Sequence, residues 1–148
     1  MTREILLVED NVSDIELTKR AFQKSGVRFP LTVVENGQSA IDFLEGKGEY
    51  EGRGADQLPL LVLLDINLPR LNGLQVLRKI KENRRTKSTI VIMLTTSGED
   101  QDVKEAYLAG ANSYIKKPVD FQKFSEAISQ ISSYWLNINE PPNGAREI

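Results

Sequence analysis

The chain has 148 residues, of which 40% are hydrophobic and 27% charged, as expected for one globular domain. It contains no cysteine and no histidine, which excludes disulfides, thiolate catalysis and histidine chemistry, so any metal must bind oxygen ligands, favouring Mg²⁺, Ca²⁺ or Mn²⁺. The net charge of −2 favours neither nucleic-acid nor membrane binding, and without a signal peptide or long apolar run we expect a cytoplasmic protein.

Five apolar runs predict the strands of a β-sheet. The first, third and fourth runs are continuous rather than alternating, which predicts that both of their faces are buried. In chain order the runs are Ile5–Val8, Leu31–Val34, Leu60–Leu64, Ile90–Leu94 and Ser113–Ile115.

The segments between these runs predict five amphipathic helices. Ser13 or Asp14 would cap the first helix, and the sequence Ser97-Gly98-Glu99-Asp100 is similar to a capping box at the start of the fourth. The fifth helix follows Asp120 and carries an apolar stripe as far as Trp135. Strands that alternate with helices predict a doubly wound α/β fold, with a parallel sheet covered by helices on both faces.

The helical pattern also predicts the domain boundaries. We expect one domain over residues 1–137 and a C-terminal tail over residues 138–148, which contains Pro141, Pro142 and Gly144. We expect no output domain, and in particular no helix-turn-helix domain for binding DNA.

Polar residues follow four of the predicted strands. Glu9 and Asp10 follow the first strand, Asp65 the third, Thr95 the fourth and Lys117 the fifth. The carboxyl ends of parallel strands lie at one edge of a sheet, where open α/β folds place their ligand sites, so these side chains are expected to converge. Crowded carboxylates repel one another unless a cation lies among them, and their oxygens suit Mg²⁺.

This arrangement predicts phosphoryl transfer to a carboxylate. With Mg²⁺ bound, Asp65 would act as the nucleophile and form an aspartyl phosphate. The reaction requires stabilisation of negative charge rather than a base, and Lys117 and Thr95 would supply an ammonium and a hydroxyl. Because the chain lacks histidine, a donor histidine must belong to another protein or be replaced by a small phosphodonor.

Four segments carry a family resemblance: Ile5–Asp10, Leu63–Pro69 with Gly73, Leu94–Thr96 and Ala109–Pro118. In this order, and at the ends of strands, they resemble the receiver domain of bacterial two-component response regulators. The resemblance covers nearly the whole chain. It implies a five-stranded parallel sheet in the flavodoxin-like order 2-1-3-4-5, flanked by five helices.

The resemblance implies a metal site. Glu9, Asp10 and Asp65 would hold Mg²⁺ together with the backbone carbonyl of Asn67, and Asp65 would be the phospho-acceptor. Glu9 stands where many members of the family have Asp, and its longer side chain favours a water-mediated contact with the metal.

The resemblance also implies a switch. Thr95 would be the switch hydroxyl, Tyr114 the aromatic residue that changes rotamer, and Lys117 the lysine that contacts the phosphate. The surface formed by the fourth helix, fifth strand and fifth helix would transmit the signal.

Three features narrow the resemblance: Gly48-Glu49-Tyr50, the string from Asp65 to Pro69, and Tyr134-Trp135-Leu136. They are similar to the single-domain regulators that pair with bacterial phytochromes. The implied partner is a sensor histidine kinase, for which a bacterial phytochrome is one candidate.

Tyr134, Leu136 and Ile138 lie off the predicted core stripe of the fifth helix. Exposed apolar and aromatic residues commonly mark interfaces, so we expect these three to form a homodimer contact. The alternative is that Tyr134 and Leu136 belong to the core of the monomer.

Other functions fit parts of the pattern. Glu9 and Asp10 also suit the start of a helix without any metal. An enzyme alternative is a Mg²⁺-dependent phosphatase of small phosphoesters with Asp65 as nucleophile, but Asn67 replaces the second acid of the usual Asp-x-Asp motif. A nucleotide or flavin module of the same fold is disfavoured, because no Gly-rich loop follows the first strand. We therefore expect a phospho-acceptor switch rather than an enzyme.

Overall fold

A computed structural model describes residues 3–53 and 57–142 of the chain. Five strands form one parallel sheet in the order β2-β1-β3-β4-β5. The doubly wound fold and the strand order implied by the sequence are therefore confirmed. The strands are β1 (Ile5–Val8), β2 (Leu31–Val34), β3 (Leu61–Leu64), β4 (Val91–Thr95) and β5 (Ser113–Lys116).

Five α-helices cover the two faces of the sheet. A short 3₁₀ turn over Gly48–Tyr50 follows the second helix, and a π-helical turn over Ser133–Ile138 extends the fifth. Within the described ranges, no helix has the length and apolar character needed to cross a membrane. The helices are α1 (Val12–Lys24), α2 (Gly37–Glu45), α3 (Gly73–Glu82), α4 (Asp100–Leu108) and α5 (Phe121–Ser132).

The core consists of two apolar layers, one on each face of the sheet. One layer includes Leu6 and Val62 and packs on α2 and α3; the other includes Leu7 and Leu63 and packs on α1 and α5. These neighbours point to opposite faces because side chains alternate along a strand. Each fully buried side chain of this size stabilises the fold by about 1.5–3 kcal/mol, so the continuous apolar runs secure both layers at once.

The start of α1 differs from the sequence prediction. The side chain of Asn11, rather than that of Ser13 or Asp14, caps the helix by accepting a hydrogen bond from the Asp14 N–H at 2.9 Å. The helix begins two residues earlier than a Ser13 cap would allow. The Asp14 carboxylate therefore lies inside the first turn and does not cap the helix.

The predicted capping box at α4 is wrong. The helix begins at Asp100, and its N-cap residue, Glu99, makes no side-chain capping bond. Ser97 lies two residues before this cap, and its hydroxyl donates a hydrogen bond to the carboxylate of Asp102 at 2.6 Å. By contrast, α5 follows Asp120 as predicted, and the Asp120 side chain caps it by accepting from the Lys123 N–H at 3.2 Å.

The end of α5 corrects one predicted interface residue. Leu136 is buried, with 7% of its surface exposed, and packs in the same core layer as Ile131. The Asn139 N–H bonds to the Tyr134 carbonyl five residues earlier, which is the π-helical pattern. The wider turn brings Leu136, five residues after Ile131, onto the core face. A prediction that assumes the repeat of an ordinary α-helix therefore places Leu136 on the wrong face.

The other two predicted interface residues are exposed. Tyr134 is 47% exposed and Ile138 is 64% exposed. The π-helical turn reaches Ile138, one residue beyond the predicted domain boundary at 137. Of the predicted tail, residues 143–148, including Gly144, lie outside the described residues.

Candidate functional site

The site is built at the carboxyl ends of the central strands β1 and β3. The parallel register pairs Val8 with Leu64, so the residues that follow, Glu9 and Asp65, emerge side by side. The Asp65 N–H donates to the Val8 carbonyl at 3.2 Å, which continues the strand pairing for one more residue. The ladder of the sheet thus fixes the spacing of the two acids.

Three carboxylates meet at this edge of the sheet. Glu9, Asp10 and Asp65 each place one oxygen within 4.8 Å of the oxygens of the other two. Glu9 and Asp65 are buried, whereas Asp10 is exposed. Two buried carboxylates and one exposed carboxylate together offer hard oxygen ligands, and the exposed side leaves access for water. Mg²⁺ prefers oxygen ligands of this kind and usually keeps several waters. The residues present therefore fit a Mg²⁺ ion.

Lys117 enters the same site from the end of β5 and is itself buried. Its Nζ donates hydrogen bonds to Glu9 and, at 2.9 Å, to Asp14 Oδ2, and it lies 3.7 Å from Asp65 Oδ2. Three carboxyl groups thus lie within 3.7 Å of one ammonium, and Asp10 adds a fourth acid to the carboxylate cluster. One positive charge does not balance this many acids, which favours binding of a divalent cation.

Burial affects the pKa values of both Glu9 and Lys117. Burial raises the pKa of Glu9 to about 7, although the nearby Lys117 ammonium acts in the opposite direction. Burial lowers the pKa of Lys117, but the hydrogen bonds to Glu9 and Asp14 and the charge of Asp65 outweigh it, so this pKa lies above its ordinary value. Lys117 is therefore positively charged at neutral pH.

Thr95, the last residue of β4, is fully buried, whereas Thr96 is exposed. The Lys117 N–H donates to the Thr95 carbonyl at 2.7 Å, so a backbone hydrogen bond joins the two residues. The Ser97 N–H approaches the Thr95 hydroxyl at 3.5 Å. Burial beside the site favours Thr95 over Thr96 as the predicted switch hydroxyl.

Tyr114 on β5 is half-buried against the core layer of α2 and α3. Its hydroxyl donates to the Ser97 carbonyl at 2.8 Å, in the loop between β4 and α4. Burial raises the pKa of Tyr114, and the charges of Asp102, Asp65 and Glu99 act in the same direction. The tyrosine thus connects β5 to the loop that follows Thr95, while its change of rotamer stays a prediction.

The loop after Asp65 approaches the Asp65 carboxylate. The Asn67 N–H lies 3.5 Å from Asp65 Oδ1, and the Asn67 side chain is exposed. The use of the Asn67 carbonyl as a metal ligand stays a prediction. At the end of this loop, the Gly73 N–H donates to the Ile66 carbonyl at 2.8 Å.

Sequence reasoning missed the contact between Asp14 and Lys117. It treated Asp14 only as a candidate cap of the first helix. The pairing itself joins residues 103 positions apart, which no local pattern reveals.

Comparison with known proteins identifies a family. Residues 5–129 match the model of the response regulator receiver domain. The chain is 39% identical to the probable methanogenesis regulatory protein FilR2 of Methanothrix harundinacea, over 95% of this chain and 88% of that protein.

Two solved structures are also similar. The phosphorylated cyanobacterial phytochrome response regulator RcpA superposes with a TM-score of 0.88 at 33% identity, covering 97% of this chain and all of RcpA. The Mn²⁺-bound form of the response regulator Rcp1, a protein of Synechocystis, gives a TM-score of 0.86 at 35% identity, covering 95% and 99% of the two chains.

Proposed function

The chain belongs to the response regulator receiver domain family, and on that premise we propose that it is a phosphorylation switch whose phospho-acceptor is Asp65. One observation carries the assignment. Asp65 shares a cluster of carboxylate oxygens with Glu9 and Asp10, and the ammonium of Lys117 lies 3.7 Å from it. A nucleophile, a set of metal ligands and a cation for the phosphate thus lie within one site.

The proposed reaction transfers a phosphoryl group from a phosphohistidine. An oxygen of the Asp65 carboxylate attacks phosphorus, a P–O bond forms, and the P–N bond breaks with its electron pair remaining on the imidazole nitrogen. Attack by water later releases inorganic phosphate and restores the carboxylate. Neither step requires a general base from this chain, in keeping with its lack of histidine.

Glu9, Asp10 and Asp65 would hold Mg²⁺, with the Asn67 carbonyl completing the ligand set. When bound, the ion would neutralise negative charge on the phosphoryl oxygens and on the crowded acids. The Mn²⁺-bound form of Rcp1 supports a divalent cation in this family. Lys117 would bind a phosphoryl oxygen, and the Thr95 hydroxyl would donate a hydrogen bond to another.

The switch would act through Thr95 and Tyr114. Movement of Thr95 toward the phosphoryl group would shift the loop whose Ser97 carbonyl accepts the Tyr114 hydroxyl bond, and Tyr114 would then change rotamer. This coupling would alter the surface of α4, β5 and α5. The exposed Tyr134 and Ile138 at the end of α5 would serve as a homodimer contact.

The proposed partner is a sensor histidine kinase in the cytoplasm. RcpA is a phytochrome response regulator, which supports a bacterial phytochrome as the candidate kinase. FilR2, by contrast, carries the name of a probable methanogenesis regulatory protein. The kinase must therefore be identified by phosphotransfer rather than by similarity.

The proposed function is tested with a panel of autophosphorylated histidine kinases that includes a bacterial phytochrome. Radiolabelled phosphate should pass to this chain in Mg²⁺ and fail to pass in excess EDTA. Hydrolysis of p-nitrophenyl phosphate, measured in parallel, distinguishes a switch from a phosphatase. Repeated turnover of that ester without any kinase transfer would contradict the proposal.

A further inference from the structure

The three carboxylates around Lys117 contact its ammonium at different distances. Glu9 and Asp14 both accept hydrogen bonds from Nζ, the latter at 2.9 Å, whereas the nearest Asp65 oxygen lies 3.7 Å away. The ammonium thus bonds more closely to residues of the β1–α1 segment than to the phospho-acceptor. Two of the three N–H groups of the ammonium are thus used by Glu9 and Asp14, and these bonds limit how closely Lys117 can approach a phosphoryl group on Asp65.

We propose that Asp14 is a positioning residue that restrains Lys117 and competes with the phosphoryl group for its ammonium. This inference rests on the proposed function, because it assumes that Lys117 stabilises charge on a phosphoryl group at Asp65. In this account, Asp14 sets how readily Lys117 turns to the phosphate and thereby limits the rate of phosphorylation.

Asp14 is a more lasting competitor than Glu9. Glu9 belongs to the carboxylate cluster that fits a divalent cation, whereas Asp14 is not among the residues of that cluster. A cation bound there would draw the Glu9 carboxylate toward itself and weaken its hold on Lys117. Asp14 would then be the remaining anionic partner that holds the ammonium away from Asp65.

The local structure of α1 leaves the Asp14 carboxylate available for this role. Its N–H is bound by the Asn11 side chain, and its carbonyl accepts from the Thr18 hydroxyl at 2.7 Å. The capping function is thus met by Asn11. An acid in the first turn also interacts favourably with the helix dipole, but that interaction does not depend on Lys117.

The expected effect is moderate because the Asp14 side chain is 31% exposed. Partly exposed ion pairs are weakened by solvent, so replacement of Asp14 by Asn should raise the phosphorylation rate by about two- to fivefold. Asp14→Glu keeps the charge and should return the rate close to that of the wild type.

The test measures phosphorylation by acetyl phosphate in Mg²⁺ for wild type, Asp14→Asn and Asp14→Glu. Glu16→Gln is the matched control, since it removes an exposed acid of α1 whose ion-pair partner is Lys19. Each variant is then repeated in a Lys117→Gln background. A urea-unfolding cycle of Asp14→Asn and Lys117→Gln in EDTA adds a measurement that does not depend on the reaction.

The inference predicts a faster Asp14→Asn protein, an unchanged Glu16→Gln protein, no effect of Asp14→Asn without Lys117, and favourable coupling in the unfolding cycle. An equal or slower Asp14→Asn protein would overturn it. So would a gain that persists in the Lys117→Gln background, because simple relief of repulsion toward the anionic phosphodonor would then explain it. Failure of the wild-type protein to be labelled would instead contradict the proposed function.

Discussion

Gly73 lies so close to the backbone of Asp65 that a Cβ atom built on it would stand 2.0 Å from the Asp65 carbonyl oxygen. No real Cβ tolerates that distance, so α3 begins in direct contact with the backbone of Asp65. Placement of the carboxylate therefore depends on this glycine as well as on the strand register.

Replacement of Gly73 by Ala should both destabilise the domain and slow phosphorylation. The added methyl group must push backbone apart, and overpacking of this kind destabilises by about 1–3 kcal/mol. Urea unfolding and the labelling rate are the measurements. Gly26→Ala is the control, because it meets no atom within 4 Å and only its φ of 72° opposes the substitution. A Gly73→Ala protein as stable and as readily labelled as wild type would refute the close contact.

Asp10→Asn should weaken Mg²⁺ binding without unfolding the domain. Asp10 is exposed and contributes one of the three clustered oxygens, so its loss removes a ligand while relieving repulsion between acids. We expect the affinity for Mg²⁺ to fall by about tenfold or more, because disturbing a metal site commonly has an effect of this size. Calorimetric titration of Mg²⁺ measures this, with the exposed Asp100→Asn in α4 as a control for charge. Equal affinity in Asp10→Asn and wild type would exclude Asp10 as a ligand.

Thr95→Val should separate phosphorylation from signalling. Valine keeps the shape of this fully buried side chain but removes the hydroxyl that would bond to the phosphoryl group. Asp65 should still be labelled, while the phosphorylation-dependent NMR shift changes of Tyr114 and Ser97 should be lost. Thr95→Ser, which keeps the hydroxyl, should preserve them. If the shifts change in Thr95→Val as in wild type, another residue couples the site to Tyr114.

Replacement of both Tyr134 and Ile138 by serine should shift a dimer toward monomer. Both side chains are exposed apolar groups on the π-helical turn. A dimer contact would bury their apolar surface, and serine removes that surface. Sedimentation velocity at micromolar concentration, with and without beryllofluoride as a phosphoryl mimic, measures the change. Leu108→Ser on α4 removes an equally apolar exposed residue elsewhere and serves as the control. A wild-type monomer in both states, or a dimer indifferent to the double substitution, would rule out this interface.

The sequence was sufficient where burial is a local property. Continuous apolar runs such as Leu60–Leu64 predicted buried strands, of which this one is observed as Leu61–Leu64. The rule that parallel strands end at one edge predicted that Glu9 and Asp65 would meet. The π-helical turn could not be predicted in this way. It changes the phase of α5 by one residue, and that shift moves Leu136 from the expected surface into the core.

Hydrogen bonds that depend on tertiary packing could not be predicted from the sequence either. Ser97 matches the pattern of a helix cap, yet its hydroxyl binds Asp102 and its carbonyl accepts from Tyr114. Asp14 likewise matches a capping residue but binds Lys117, which lies 103 positions later in the chain. In both cases the residue type was informative, but the sequence did not reveal which residue it contacts.

The most direct test of the central claim is a map of the phosphorylated site. Wild-type protein and Asp65→Asn are incubated with acetyl phosphate and Mg²⁺, and the acyl phosphate is trapped by borohydride reduction and located by peptide mass spectrometry. We predict one phosphoryl group on the wild-type chain, sensitive to hydroxylamine and located at Asp65, and none on Asp65→Asn. Undiminished labelling of Asp65→Asn, or a wild-type label on another residue, would contradict the assignment of Asp65 as the phospho-acceptor.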